Sequence, residues 1–206
     1  MDVARPYKAV CPSLDGEVLN VLAGTTRGLT GREVALLTGR TSHSGILAVL
    51  NRLTEQGLVD RVELNRAFLF SMNREHLAYP AVIALVGMRV ALFGKIQDEL
   101  NAWGLAPVHV SLFGSTARGD GDTQSDIDLF VVRPAEIDQE DARWREQLDE
   151  LEDRVSRWTG NRAAVLEISE SEIERLVAED RPIVSELRAD AIVLAGSTIP
   201  ALLGET

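Results

Sequence analysis

From residue 110 to residue 128 the chain reads Val110-Ser-Leu-Phe-Gly-Ser-Thr-Ala-Arg-Gly, Asp120-Gly-Asp-Thr-Gln, Ser125-Asp-Ile-Asp, and two groups within this run could do chemistry. Gly114 and Ser115 follow a β-rich stretch, and glycine there lets a ligand approach the backbone closely. If residues 115–118 make a helical turn, their free N–H groups point at an anion. Ser115 adds a hydroxyl and Arg118 a positive charge, which together make a small phosphate cradle. Asp126 and Asp128, two apart at the start of the next strand, project both carboxylates from one face. Two close carboxylates repel unless a cation lies between them. Mg²⁺ prefers such oxygen ligands while keeping waters and substrate phosphates. A phosphate cradle beside a Mg²⁺-binding pair describes a nucleoside-triphosphate site.

Other chemistries fit these residues poorly. Asp120, Asp122, Gln124, Asp126 and Asp128 alternate as in a calcium loop, but such a loop needs Gly at its sixth position and Glu at its twelfth. Ser125 and Val131 stand there instead, so Asp120 and Asp122 read as solvated turn residues beside Gly121. A Walker-type loop needs a Gly-Lys-Ser/Thr end, and the chain has none. His43, His76 and His109 are not spaced as metal ligands; His109, beside the first strand, reads as a packed or edge histidine. Trp103, Trp144 and Trp158 read as core or interface.

Gly114-Ser115-x-Ala117-Arg118-Gly119 followed by Ser125-Asp126-x-Asp128 closely resembles the polymerase-β-type nucleotidyltransferase superfamily, in particular its minimal nucleotidyltransferases. Eight positions are fixed, and at ordinary residue frequencies a chance match is roughly 10⁻⁹ per start site, so the motif is specific. The resemblance spans about residues 80–206. It implies that Gly114 and Ser115, with Arg118 and Ser125 beside them, hold a nucleoside triphosphate, and that Asp126 and Asp128 bind two Mg²⁺ ions. It implies a third carboxylate on a later strand, which would bind metal or act as base on an acceptor hydroxyl. Glu167, in Ala163-Ala-Val-Leu-Glu-Ile, is the candidate, although aspartate is the more usual occupant.

The elements around this motif form strand, turn, strand, helix, strand, helix: strands at 108–113, 127–132, 162–168 and 191–194, and helices at 140–158, 171–178 and 182–188. Ser171 and Glu174 would cap the second of these helices as a capping box. That order describes a small α+β domain. Ahead of it, residues 81–103 read as one long helix, opened by Pro80 and apolar around much of its girth to Phe93. It fits a bridging helix or a dimer interface.

The first 76 residues read differently. Short helices are expected at 15–23, 31–37 and 42–56, the second capped by Thr30 with Glu33 in the capping-box position, the third capped by Ser42. A hairpin follows over 58–71, turning at Asn65-Arg66. This order resembles the winged helix-turn-helix family over residues 14–76. The resemblance places Ser42, His43 and Ser44 at the start of the third helix against DNA, with Arg40, Arg52, Arg61 and Arg66 as phosphate contacts. Charge agrees with the division. Residues 1–76 carry nine Lys/Arg against eight Asp/Glu, whereas residues 77–206 carry 12 against 24, so only the first part suits a polyanion.

Of the 206 residues, 45% are hydrophobic and 26% charged, enough apolar surface for real cores. The single cysteine, Cys11, forms no internal disulfide, which fits a reducing compartment. Residues 1–12 lack a basic start followed by an apolar run, and residues 79–93, broken by Gly87 and Arg89, fall short of the roughly 20 residues of a membrane span. The expectation is a cytoplasmic, α+β protein: a winged helix-turn-helix at 1–77, a bridging helix at 78–104, and a small mixed-sheet nucleotidyltransferase domain within 78–206. It would transfer a nucleoside monophosphate to a hydroxyl of a protein, RNA or small molecule, with DNA as a further partner and a homodimer compatible. The alternative is a transcriptional regulator or antitoxin-like protein whose fold serves as nucleotide sensor or interaction surface.

Overall fold

The computed structural model describes residues 1–39, 43–65 and 67–204. The chain divides into two compact units, Arg5–Met88 and the chain from Arg89 onward, with Met1–Ala4 packed into the second.

The Arg5–Met88 unit opens with a 3-10 turn at Pro6–Ala9. Helix α1 (Leu14–Ala23), strand β1 (Leu29–Thr30), helices α2 (Gly31–Leu37) and α3 (His43–Glu55), strands β2 (Val59–Leu64) and β3 (Ala67–Met72), and helix α4 (Tyr79–Val86) follow. The three strands form an antiparallel sheet ordered β1-β3-β2, with Leu29 opposite Phe70 and Leu64 opposite Ala67. Leu64 and Ala67 close a two-residue connection, and Asn65 takes φ +50, a conformation asparagine tolerates better than most residues. Val18 and Leu22 of α1 pack on Ile46 and Leu50 of α3 and on Phe70, the largest side chain of this core. The capping box of α2 is present: Thr30 Oγ1 accepts from Glu33 N–H at 3.2 Å, and Glu33 Oε2 accepts from Thr30 N–H at 2.7 Å. With Arg27 donating at 2.9 Å, these bonds hold the Glu33 carboxyl at about 2, the Thr30 N–H contributing most. Strand β1 is too short to carry an alternation and was not expected.

The single long helix expected over residues 81–103 is two helices, α4 and α5 (Met88–Asn101), separated at Gly87. Gly87 leaves the helical region at ψ 1 while its N–H still bonds Ile83 O at 2.9 Å. Apolar periodicity runs through this position, but glycine is a weak helix former and does not resist the break.

The second unit continues with strand β4 (His109–Leu112), the short helix α6 (Gly114–Arg118), strand β5 (Ile127–Arg133), helix α7 (Ala142–Thr159) and strand β6 (Ala163–Ser169). A 3-10 turn at Glu170–Glu172 leads into helix α8 (Ile173–Ala178), then helix α9 (Pro182–Asp190), strand β7 (Ile192–Gly196) and helix α10 (Ile199–Leu202). The capping box expected at Ser171–Glu174 lies two residues earlier, at Ser169 and Glu172, because the chain turns directly off β6. The four strands are ordered β6-β5-β4-β7, β5 and β6 parallel and the other pairs antiparallel. Alternation along β5 splits its side chains between two cores. Ile127, Leu129 and Val131 face α5 and α7 with Ile96, Trp144 and Leu151, whereas Phe130 and Val132 face α8 and α9 with Ile173, Val184 and Leu187. Trp103 meets Trp144 edge-on at 5.5 Å, and His109 is wholly buried, as packing residues.

Among the described residues no single helix is long and apolar enough to cross a membrane.

Candidate active site

Gly114 stands where β4 gives way to α6, with φ +64. A Cβ there would lie 2.5 Å from Asp128 Oδ2, so both conformation and space restrict the position to glycine. The helical turn expected after it forms, and the carbonyl of Ser115 collects the N–H groups of Gly119, Asp120 and Gly121 at 3.0, 3.1 and 3.2 Å. Thr116 Oγ1 donates to Asp126 O at 3.2 Å, stitching the turn to the start of β5. The C-terminal carbonyls of the turn, Thr116 O and Ala117 O, each accept from Arg89 Nη2 at 2.9 Å. Phe113 N–H donates to Asp128 O at 3.1 Å. The glycine turn and the aspartate pair therefore share one rim of the sheet.

Asp128 lies on the face of β5 that also carries Phe130 and Val132, and Asp126, two residues before it, ends the loop that leads into the strand. Burial, then the charge of Asp126 and then that of Glu186, push the Asp128 carboxyl above the usual aspartate range; Arg118 pulls the other way. Arg162 Nη1 stands 3.9 Å from Asp126 Oδ2 but is largely exposed. Arg118 lies between acids, with Nε 3.4 Å from Asp120 Oδ2 and Nη1 3.9 Å from Asp190 Oδ2 of α9. A half-buried aspartate whose carboxyl is held above its ordinary range by burial and by neighbouring negative charge, with the Gly114 backbone close against it, suits a divalent cation shared with phosphate oxygens. Asp126 and Asp128 thus fit the metal that their pattern implies. Among the described residues no three His, Cys, Asp or Glu side chains are grouped to hold a metal by themselves.

The Ser125 side chain is bonded within its own loop. Its hydroxyl accepts from Asp122 N–H at 2.9 Å and donates to Asp122 Oδ1 at 3.1 Å, closing the loop onto itself. Asp122 Oδ1 also receives Gln124 N–H at 2.8 Å and Ser125 N–H at 3.0 Å, and the first of these contributes most to lowering its pKa.

Glu167 is not with the aspartates. In the parallel register Asp128 pairs with Ala164, and Glu167 pairs with Val131 on the opposite face of the sheet. It lies three residues along β6 from Ala164, roughly 10 Å. Its carboxylate accepts from Arg133 Nε at 2.8 Å, Trp144 Nε1 at 2.9 Å and Arg145 Nη1 at 3.4 Å. Period-two alternation, counted from the true register, turns Glu167 toward α7. The acidic groups beyond Asp126 on the rim come from α9, Glu186 and Asp190, which read in sequence as an ordinary helix face. Arg89 and Asn161 were also missed. Arg89 carried no signal beyond interrupting an apolar run, and Asn161 follows Gly160 where a turn residue is unremarkable.

Among the candidate DNA contacts, Ser42 and Arg66, like Arg40, lie outside the described residues. His43 and Ser44 are exposed at the start of α3. Arg52 is ion-paired with Asp15 of α1. Between α2, α3 and the hairpin lies a groove of about 430 Å³ lined by Arg32, His43, Asn51, Arg61 and Phe68. Arg61 reaches Asn51 Oδ1 at 3.4 Å and stacks 4.8 Å over Phe68.

Comparison with known proteins bears on the second unit. Residues 95–184 match the family model described as a nucleotidyltransferase domain. The matched segment contains Gly114, Ser115, Arg118, Asp126 and Asp128, and ends within α9. A solved structure described as "Crystal structure of the toxin-antitoxin with AMP-PNP" aligns at 20% identity and a TM-score of 0.36, over 54% of this chain and 81% of its own. None of the curated proteins matches.

Proposed function

We propose that the second unit is a Mg²⁺-dependent nucleotidyltransferase that moves a nucleoside monophosphate from a nucleoside triphosphate to an acceptor hydroxyl. The observation that carries this is the contact of Gly114 with Asp128: the phosphate-side turn and the carboxylate pair meet with no side chain between them. Gly114 and Ser115 hold the phosphates, and Arg118 lies at the same rim to neutralise them. Asp126 and Asp128 hold Mg²⁺, which when bound withdraws charge from the phosphate oxygens. The acceptor oxygen bonds to the α-phosphorus, the bond from that phosphorus to the bridging oxygen breaks, pyrophosphate leaves, and the hydroxyl proton goes to solvent. The protein contributes chiefly alignment and charge placement. Protein side chains, RNA ends and small molecules all offer the required hydroxyl.

The test is incubation with each α-labelled triphosphate, Mg²⁺ and cell lysate, followed by location of the label. Label in an acceptor with the parent protein and none with Asp126→Asn is expected. Full transfer by Asp126→Asn sinks the assignment.

A second reading draws on Glu167. With that residue turned toward α7, no strand among the described residues places a third carboxylate beside the pair, which favours a nucleotide sensor. Tight, Mg²⁺-dependent triphosphate binding with no label transferred from any triphosphate is the result that selects it. Residues 14–76 would then report nucleotide occupancy at DNA, as a winged helix-turn-helix with α3 and the β2–β3 hairpin in contact; the groove holding Arg32, His43, Asn51 and Arg61 supports that role in either reading.

A further inference from the structure

Asp126 does not belong to the regular part of β5; it is the last residue of the loop 119–126, and something must hold that loop. Asn161 is 5% exposed, at the turn between α7 and β6. Its Nδ2 donates to Ser125 O at 2.9 Å and to Asp122 O at 3.2 Å. The Oδ1 accepts from the Met1 nitrogen. Two carbonyl acceptors on one side and a donor on the other leave a single orientation of the amide. The Asn161 backbone is itself fixed, its N–H donating to Thr159 Oγ1 at 3.1 Å, while Arg162 O next to it accepts from Ile127 N–H at 2.8 Å. The Met1–Ala4 segment adds a bond from Ala4 N–H to Gly121 O at 3.4 Å, with Val3 buried beneath.

From this geometry we infer that Asn161 is a positioning residue for metal binding: it grips the carbonyls of Asp122 and Ser125 and thereby fixes the carboxylate of Asp126 beside Asp128. The inference rests on the metal reading of that pair. Its physical basis is the number of groups served by one buried side chain. The Ser125 carbonyl belongs to the peptide immediately preceding Asp126, so releasing it frees the backbone that aims the carboxylate. The loop keeps its internal bonds through Asp122 and Ser115, so it would stay compact yet lose its anchor to the sheet. A misaimed ligand lowers metal affinity while leaving the reaction competent once metal is saturating.

The experiment uses the full chain and two substitutions. Asn161→Asp keeps the shape and the Oδ1 acceptor but removes both donors; Asn161→Ala removes the donors and adds none, and is read if the first fails to fold. Mn²⁺ affinity is measured by electron paramagnetic resonance, amide exchange at Gly121, Gln124 and Ser125 by mass spectrometry, and thermal midpoint by circular dichroism. The expected result is Mn²⁺ affinity at least tenfold weaker and exchange at least tenfold faster at a temperature where the variant is fully folded. Where transfer is measurable, its maximal rate at saturating metal stays within about threefold. Mn²⁺ affinity within twofold of the parent in a folded variant, with unchanged exchange, overturns the inference. A parent that binds no Mn²⁺ removes the metal reading itself. In that case the exchange data still judge whether Asn161 holds the loop.

Discussion

Asp128 and Glu167 are both carboxylates on neighbouring strands, and their surroundings separate them. Asp128 is made harder to ionise by burial, by Asp126 and by Glu186, while the charge of Arg118 pulls the other way. Its folded pKa is raised, so the stability it lends is present below the ordinary aspartate range and is lost as pH rises through the raised value. At neutral pH the metal-free protein should therefore gain thermal stability on Asp128→Asn. Millimolar Mg²⁺ should raise the midpoint of the parent and leave that of the variant unmoved, as differential scanning fluorimetry can show; a Mg²⁺ shift retained in the variant removes Asp128 from the metal site. Glu167 has the opposite environment, with Arg133 and Trp144 satisfying it at 2.8 and 2.9 Å and both ends of the Arg133 pair 9% exposed. Glu167→Ala leaves Arg133 buried and unpaired, which costs roughly 3 kcal/mol. The urea midpoint should fall accordingly, and Mg²⁺-dependent triphosphate affinity in the folded variant should stay near that of the parent. A variant of full stability that has lost triphosphate binding would return Glu167 to the site.

At the scale of elements, local signals worked where the bonds they imply are local. The Thr30–Glu33 box and the helical turn after Gly114 are each completed within a few residues, and both are present. Thr30→Ala should lower stability by about 1 kcal/mol in urea denaturation, the usual worth of an N-cap; no loss would mean the α2 start is held otherwise. The long apolar stretch after Pro80 failed as a single helix because periodicity does not report a break that one glycine permits. Strand β4 carries a buried polar pair that sequence did not resolve. His109 Nδ1 lies 2.7 Å from Ser197 O, which can only accept, so Nδ1 is the protonated nitrogen and Nε2 accepts from Ser111 Oγ at 2.8 Å. Burial lowers its pKa, against the pull of Ser197 O. The stability it lends is present above the unfolded value of about 6.5 and is lost as pH falls through the lower folded value. His109→Asn should flatten the decline in urea midpoint between pH 7 and pH 5; an unchanged decline would place the titration elsewhere.

Charge acts on the molecule as a whole. The net charge of −11 is the sum of −12 after residue 76 and +1 before it, so a polyanion meets repulsion there and near neutrality in Arg5–Met88. Proposed DNA binding should then be weak and steeply salt-dependent, since it rests on a few arginines. Arg52, held by Asp15, is a poorer candidate than its exposure on α3 suggested, and Arg61 and Arg32 at the groove are better ones. Fluorescence anisotropy over 50–300 mM salt should give a shallower log–log slope for Arg61→Ala by about 0.9, the loss of one phosphate contact. Equal slopes would argue that the groove does not meet nucleic acid.

The sequence by itself determined that the turn at Gly114 and Ser115 meets the pair Asp126 and Asp128, because backbone conformation and strand alternation bring them together within 15 residues of one another. It also determined the change in character near residue 77, since charge and periodicity are summed over long windows. Only the tertiary structure decided which carboxylates stand together. The register of β6 against β5 is a long-range quantity set by α7 and by the two cores, and moving it by one residue reverses the face on which Glu167 lies. The contacts of Arg89, Asn161 and Glu186 were decided at the same level. Each meets the motif across at least 25 residues of chain, through contacts that no spacing in the sequence encodes.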